Sequence, residues 1–192
     1  MSTQKIIGVV GGMGPYAGLD LVKKIFDQTA ASSDQEHLPV ILCSLPSEIE
    51  DRTAFVLGES TDNPAWSILK VVRKLGQAGA TVAGIPCNTA HAPQIFDVIR
   101  DELRKGKDHI KLLHLIEEVA SFIRGRFPNA KKIGLLSTIG TARARIYHAY
   151  LEPEGYSVVL PDEDIQVNFV HKPIYDREYG IKAKSAPVTD IA

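Results

Sequence analysis

The stretch "GIPCNTAHAP", residues 84–93, sets a thiol, Cys87, in polar company. A thiolate is both a base and a nucleophile, so any chemistry at this position is thiol chemistry. The apolar run "TVAGIP" precedes the cysteine, and Pro93 suits the first turn of a following helix. Cys87 is therefore expected at the carboxyl end of a strand, near unpaired amides and the positive end of a helix dipole, which favour a thiolate. In that state it would serve as a general base. The competing reading of a free cysteine is a small buried hydrophobe. That reading fits Cys43, inside "PVILCSL", better than it fits Cys87, whose neighbours are Pro86, Asn88 and Thr89. His91, four residues on, reads equally as a thiol partner, a cap or a surface side chain, and it is assigned no catalytic role.

Other polar positions converge on strand ends. "GGMGPYAG" places Gly12, Gly14 and Ala17 at the spacing of a dinucleotide fingerprint, but the acidic residue expected about 20 residues later at the end of the second strand is missing: Asp34 and Glu36 precede that strand and Glu48 lies beyond it. The same turn equally suits a carboxylate, held on backbone amides at a helix start. After the second strand comes "EIEDRTAF". From there Arg52 would reach the same rim and grip a carboxylate through two parallel hydrogen bonds, or else pair on the surface with Glu50 or Asp51. Thr141 in "STIGT" and Lys182 in "YGIKAKS" would, on position alone, read as a cap and a solvated side chain. No metal-ligand spacing, Gly-x-Ser-x-Gly elbow or Walker loop is present, which argues against hydrolase, metalloenzyme and nucleotidase classes.

The elements that must position these residues follow from hydrophobic periodicity. Short β-rich runs alternate with amphipathic stretches: "KIIGVVG" then 15–29, "LPVILCSLP" then 63–78, "TVAGIPC" then 92–104. A second series runs "IKLLHL", 116–126, "KKIGLLST", 141–151 and "YSVVLPD". Such alternation predicts an α/β fold with mainly parallel sheets flanked by helices. "KIIGVVGGMGP" and "KKIGLLSTIGT" form a weak repeat, which predicts two pseudo-symmetric lobes, 1–108 and 109–192, joined through the lysine-rich "RKGKDH". Superposing Gly8 on Gly134 puts the counterpart of Cys87 beyond Ala192, and "APVTDIA" offers Thr189 as an N-cap and Asp190 in a first helical turn with no helix after it. The second lobe is thus expected to be incomplete.

With 22 Lys and Arg against 23 Asp and Glu, the chain has no basic footprint for nucleic acid. No apolar run approaches the roughly 20 residues of a bilayer span, and the start lacks the apolar core of a signal peptide. Two cysteines outside any disulfide pattern suggest free thiols in a reducing compartment, so a cytoplasmic protein is expected.

Together "IGVVGGMGP", "DRTAF", "PCNTAH", "GLLSTIGT" and "IYDREYGIK", in this order and across essentially the whole chain, resemble the aspartate/glutamate racemase family, and most closely its aspartate racemase branch. The resemblance implies two α/β lobes with the active site in the cleft between them, and racemisation without pyridoxal phosphate or metal. It further implies two cysteines facing opposite sides of a substrate α-carbon, one removing the proton and the other returning one. Carried over motif by motif, Cys87 is the first of the pair. Asn88, Thr89 and Ala90 would bind the substrate's polar groups with help from Thr141, Met13 would line the pocket, and Arg52 and Lys182 would hold the carboxylates of a dicarboxylic amino acid. The family's second cysteine usually stands in a "GCTE" motif after one more helix and strand, which this sequence does not reach. A non-racemising ligand-binding or one-base homologue is therefore the alternative, with a nicotinamide-dependent enzyme behind it. Family members often dimerise; the sequence itself marks no interface.

Overall fold

β1, Ile6–Gly11, is apolar along its length because it is covered on both faces, and Val9 and Val10 are completely buried. The computed structural model describes residues 5–183; the Thr189 and Asp190 helix start lies outside them. α1, Pro15–Asp27, leads to β2, Val40–Ser44, which pairs parallel with β1 from Ile7↔Val40 to Gly11↔Ser44. A short α2, Arg52–Val56, and the longer α3, Ala65–Gln77, return the chain to β3, Ala80–Gly84, on the other side of β1. α4, Pro93–Lys105, then crosses to β4, Lys111–Leu112. The resulting sheet is parallel with strand order β2-β1-β3-β4.

Helical periodicity supplies the core. Ala65, Ile68, Leu69, Val72 and Leu75 on α3, and Ile95, Phe96, Ile99 and Leu103 on α4, recur at three- and four-residue spacing and are all buried in one apolar cluster against the sheet. α5, Leu115–Arg126, starts at His114, whose Nδ1 accepts the Glu117 amide at 3.3 Å as a cap.

The second sheet contains β5, Lys132–Gly134, and β6, Ser157–Val159, again parallel, joined through α6, Ile139–Arg143, and α7, Ile146–Leu151. Two features depart from expectation. The run "IKLLHL", read as the first strand of the second series, adds to the edge of the first sheet through Val82↔Lys111 and Ala83↔Leu112, so that sheet takes its last strand from beyond residue 108. The physical reason is the short link after α4, which brings the next strand back beside β3 by the usual parallel crossover. After β6, where no helix is expected from the sequence, α8, Glu163–Ile165, runs into a π-helical turn, Gln166–His171, and α9, Lys172–Tyr175.

Candidate active site

Strand order fixes where a ligand can enter. The chain leaves β1 toward β2 on one side and β3 lies on the other, so the connections part above the carboxyl ends of β1 and β3 and leave a crevice there. A cavity of about 540 Å³ occupies it. Its floor is the turn after β1, where Gly12 has φ of 98° and a Cβ would lie 3.0 Å from the Pro46 nitrogen, so only glycine fits without strain. α1 begins at Pro15 with no side-chain cap, and Tyr16 and Ala17, whose amides lack intrahelical partners, border the cavity.

Cys87 stands in the wall after β3. It is extended, with φ of −148° and ψ of 110°, and precedes a 3-10 turn, Asn88–His91, which separates it from α4. Its amide donates to the Ile85 carbonyl at 2.8 Å. Asn88 and Thr89 follow it along the cavity. Tyr147 of α7 donates to Asn88 Oδ1 at 3.0 Å, and burial pushes that phenol upward, so it remains a donor. Thr89 and Thr141 join hydroxyl to hydroxyl at 2.9 Å, with the Thr138 hydroxyl 3.3 Å from Thr141. This buried hydroxyl group ties the turn after β3 to the start of α6.

Cations close the other sides. Arg52, at the start of α2, is 7% exposed instead of lying on the surface beside Glu50 and Asp51. One guanidinium nitrogen donates to the Glu50 carbonyl at 2.6 Å, while Nε meets no acceptor among the described residues. Asp51 is occupied as the cap of α2, accepting the Ala54 amide at 2.8 Å. Lys182 is exposed, borders the cavity and lies over the Tyr175 ring, 4.1 Å from its centre.

Cys87, Met13, Arg52, Asn88, Thr89, Thr141 and Lys182 therefore share one cavity. Ala90 does not: it is fully buried in the apolar cluster, because the 3-10 turn points its side chain inward, and it contributes packing instead of a cavity surface. Cys43 lies in β2 and packs against the core. Sequence reasoning missed Thr53 and Tyr175, whose hydroxyls meet at 3.0 Å beside Arg52 and Lys182. Both stand inside motifs quoted for their neighbours, "DRTAF" and "IYDREYGIK". Among the described residues no group of three or more His, Cys, Asp or Glu is placed to hold a metal ion, and no helix is long and apolar enough to cross a membrane.

Gly140, on α6, underlies the Thr53 side of this wall. A Cβ there would stand 2.9 Å from both Cγ2 and Oγ1 of Thr53. Gly140→Ala is expected to lower stability by about 1–3 kcal/mol despite alanine's better helix propensity, because the wall must shift to admit the methyl group. Urea unfolding checks this, and an unchanged or raised midpoint would contradict it.

The sequence model of the family described as Asp/Glu/Hydantoin racemase matches residues 10–178, which include the cavity-lining residues except Ile181 and Lys182. The chain belongs to that family. It is 28% identical over 164 residues to the broad-specificity amino-acid racemase RacX of Bacillus subtilis, an alignment covering 82% of this chain and 65% of RacX, so it spans under two thirds of that relative. Among solved structures it is similar to an aspartate racemase from Picrophilus torridus, with TM-score 0.71 and 29% identity over 88% of this chain and 68% of that one. A putative Asp/Glu racemase from Yersinia pestis gives TM-score 0.68 and 25% identity over 90% and 70% of the respective chains. The family's α/β fold, with a parallel sheet flanked by helices, is thus shared by this chain.

Proposed function

We propose that the protein moves the α-proton of an amino acid by thiol chemistry at Cys87, as an aspartate-type racemase of its family that needs neither pyridoxal phosphate nor metal. The observation that carries this reading is one cavity holding a thiol together with two cations, Arg52 and Lys182, contributed by α2 and by the segment after α9. The Cys87 thiolate takes the proton, and the electron pair left on the α-carbon delocalises into the adjacent carboxylate. Fixed cations near that carboxylate oppose the growing negative charge. Two cations suit a dicarboxylic substrate such as aspartate or glutamate, a choice supported by the aspartate racemase among the structural relatives. Asn88, Thr89 and Thr141 supply hydrogen bonds at the substrate's polar groups.

Inversion requires a second acid on the opposite face, and Cys87 is the only thiol bordering the cavity among the described residues. Two free thiols also fit a reducing compartment such as the cytoplasm. The deciding measurement is NMR of L- and D-aspartate, each incubated with the protein in deuterated water. Loss of the α-proton signal is expected. Exchange accompanied by inversion identifies a racemase, and exchange of one enantiomer with retention identifies one-sided proton transfer by Cys87. Binding of aspartate without exchange would replace the proposal with a ligand-binding homologue.

A further inference from the structure

His91 lies outside the cavity and is completely buried. Its Nδ1 is 2.8 Å from the Cys87 carbonyl oxygen, which can only accept, so Nδ1 carries the proton and donates. The other ring nitrogen, Nε2, is buried without a hydrogen-bond partner among the described residues. A buried imidazole with one unsatisfied nitrogen is an expensive way to fill space between Phe96 and His114, where a hydrocarbon ring would pack without penalty. The polar bond that offsets this cost is the one to Cys87.

The ring is itself held. Phe96 of α4 stacks on it at 5.0 Å with planes 22° apart, and His114 meets it edge-on at 4.7 Å. His114 is fixed in turn by the Glu117 amide and by the Tyr150 hydroxyl of α7 at 3.1 Å. Burial lowers the His91 pKa to about 4, with His114 adding to the lowering and the backbone carbonyls of Cys87, Asn88 and Leu113 opposing it, so the ring is neutral at neutral pH. Cys87 is consequently pinned twice along its backbone, through its amide to Ile85 and through its carbonyl to His91. With both adjoining peptide groups fixed, the Cα–Cβ bond that aims the thiol has one direction.

We propose that His91 is a positioning residue for Cys87, holding the carbonyl of the thiol-bearing residue so that the Cα–Cβ bond that carries Sγ is fixed relative to the cavity. This rests on the reading of Cys87 as the base. Proton transfer is steep in donor–acceptor geometry, so a loosened residue 87 is expected to lose turnover and leave substrate affinity, set by Arg52 and Lys182, nearly intact.

The test combines the unmodified protein with two variants. In the unmodified protein, nitrogen NMR of the imidazoles is expected to show His91 protonated at Nδ1 and bare at Nε2; the opposite tautomer overturns the proposal. His91→Leu removes the donor, and His91→Asn keeps an N–H at nearly the reach of Nδ1. In α-proton exchange of aspartate, His91→Leu is expected to lose about ten- to a hundredfold in kcat with KM within about threefold, and His91→Asn to recover most of the loss. Equal kcat in the parent and His91→Leu, or no recovery in a folded His91→Asn, overturns it. Alkylation of Cys87 by iodoacetamide, read by mass spectrometry in a Cys43→Ser background, separates this proposal from the reading beneath it. If the parent shows no exchange, the racemase reading fails, yet alkylation rates that differ between parent and His91→Leu and are restored in His91→Asn still support positioning. Identical rates in all three reject it.

Discussion

Cys87→Ser is expected to lower α-proton exchange of aspartate by about 10³-fold, within the range a positioned general base contributes, while aspartate affinity stays within about threefold. Serine preserves the size of the side chain and its ability to hydrogen-bond, and the backbone contacts of residue 87 with Ile85 and His91 do not involve the side chain. What it removes is the thiol itself, since a thiol forms a thiolate base far more readily than a hydroxyl forms an alkoxide. Cys43→Ser is the control. Cys43 pairs in register with Val10 inside the sheet and packs on the core away from the cavity, so its replacement is expected to cost some stability and leave the exchange rate within about twofold. Loss of the α-proton NMR signal in deuterated water measures both variants. Exchange surviving in Cys87→Ser would remove this thiol from the mechanism.

The fold of the first sheet was legible because each of its elements satisfies its own rule. β1 reads as a doubly covered strand, and α3 and α4 carry uninterrupted apolar stripes, so sequence windows and structural bounds agree within a few residues. Strand affiliation was not legible. β4 has only Lys111 and Leu112 in ladder register, and two residues contain no periodicity that could choose between sheets; the neighbour β3 decides. The segment 163–175 fails differently. It leaves Ile165, Val167 and Phe169 exposed, and a π-helical turn breaks the 3.6-residue stripe that would have signalled a helix.

At the site, residues that follow strand ends were found, since the switch point of a parallel sheet collects the loops after β1 and β3. Ala90 belongs to the same "CNTA" run, but the 3-10 turn that leaves Asn88 and Thr89 on the cavity carries Ala90 round into the apolar cluster. Thr53 and Tyr175 are separated by 122 positions in the chain, and a hydroxyl pair at that separation has no local signature. His91 had a visible spacing from Cys87; its direction, back onto the carbonyl instead of onto the thiol, is a consequence of the turn alone.

Arg52→Met is expected to move binding and stability in opposite directions. The guanidinium is almost entirely removed from water, its described hydrogen bonding consists of one contact to the Glu50 carbonyl, and its Nε meets no acceptor among the described residues. Such a buried charge is held at a desolvation cost that an incoming carboxylate would offset. Methionine has comparable length and no charge to desolvate. The ligand-free variant is therefore expected to be more stable than the parent by about 1 kcal/mol, the lost Glu50 contact cancelling part of the gain. Aspartate affinity should fall by about 30- to 100-fold, because a charge-assisted, two-point contact to a carboxylate is lost in a partly water-excluded site. Thermal unfolding with and without aspartate reads both effects in one experiment, since a ligand bound only by the native state stabilises it by RT ln(1 + L/Kd), where L is the free ligand concentration, and raises Tm accordingly. The parent should melt lower without ligand and rise on addition of aspartate; the variant should melt higher and need about 30- to 100-fold more aspartate for the same rise. A variant that is destabilised yet still stabilised by aspartate would show that Arg52 is a structural cation and that the carboxylate is held elsewhere in the cavity, leaving Lys182 as the remaining candidate.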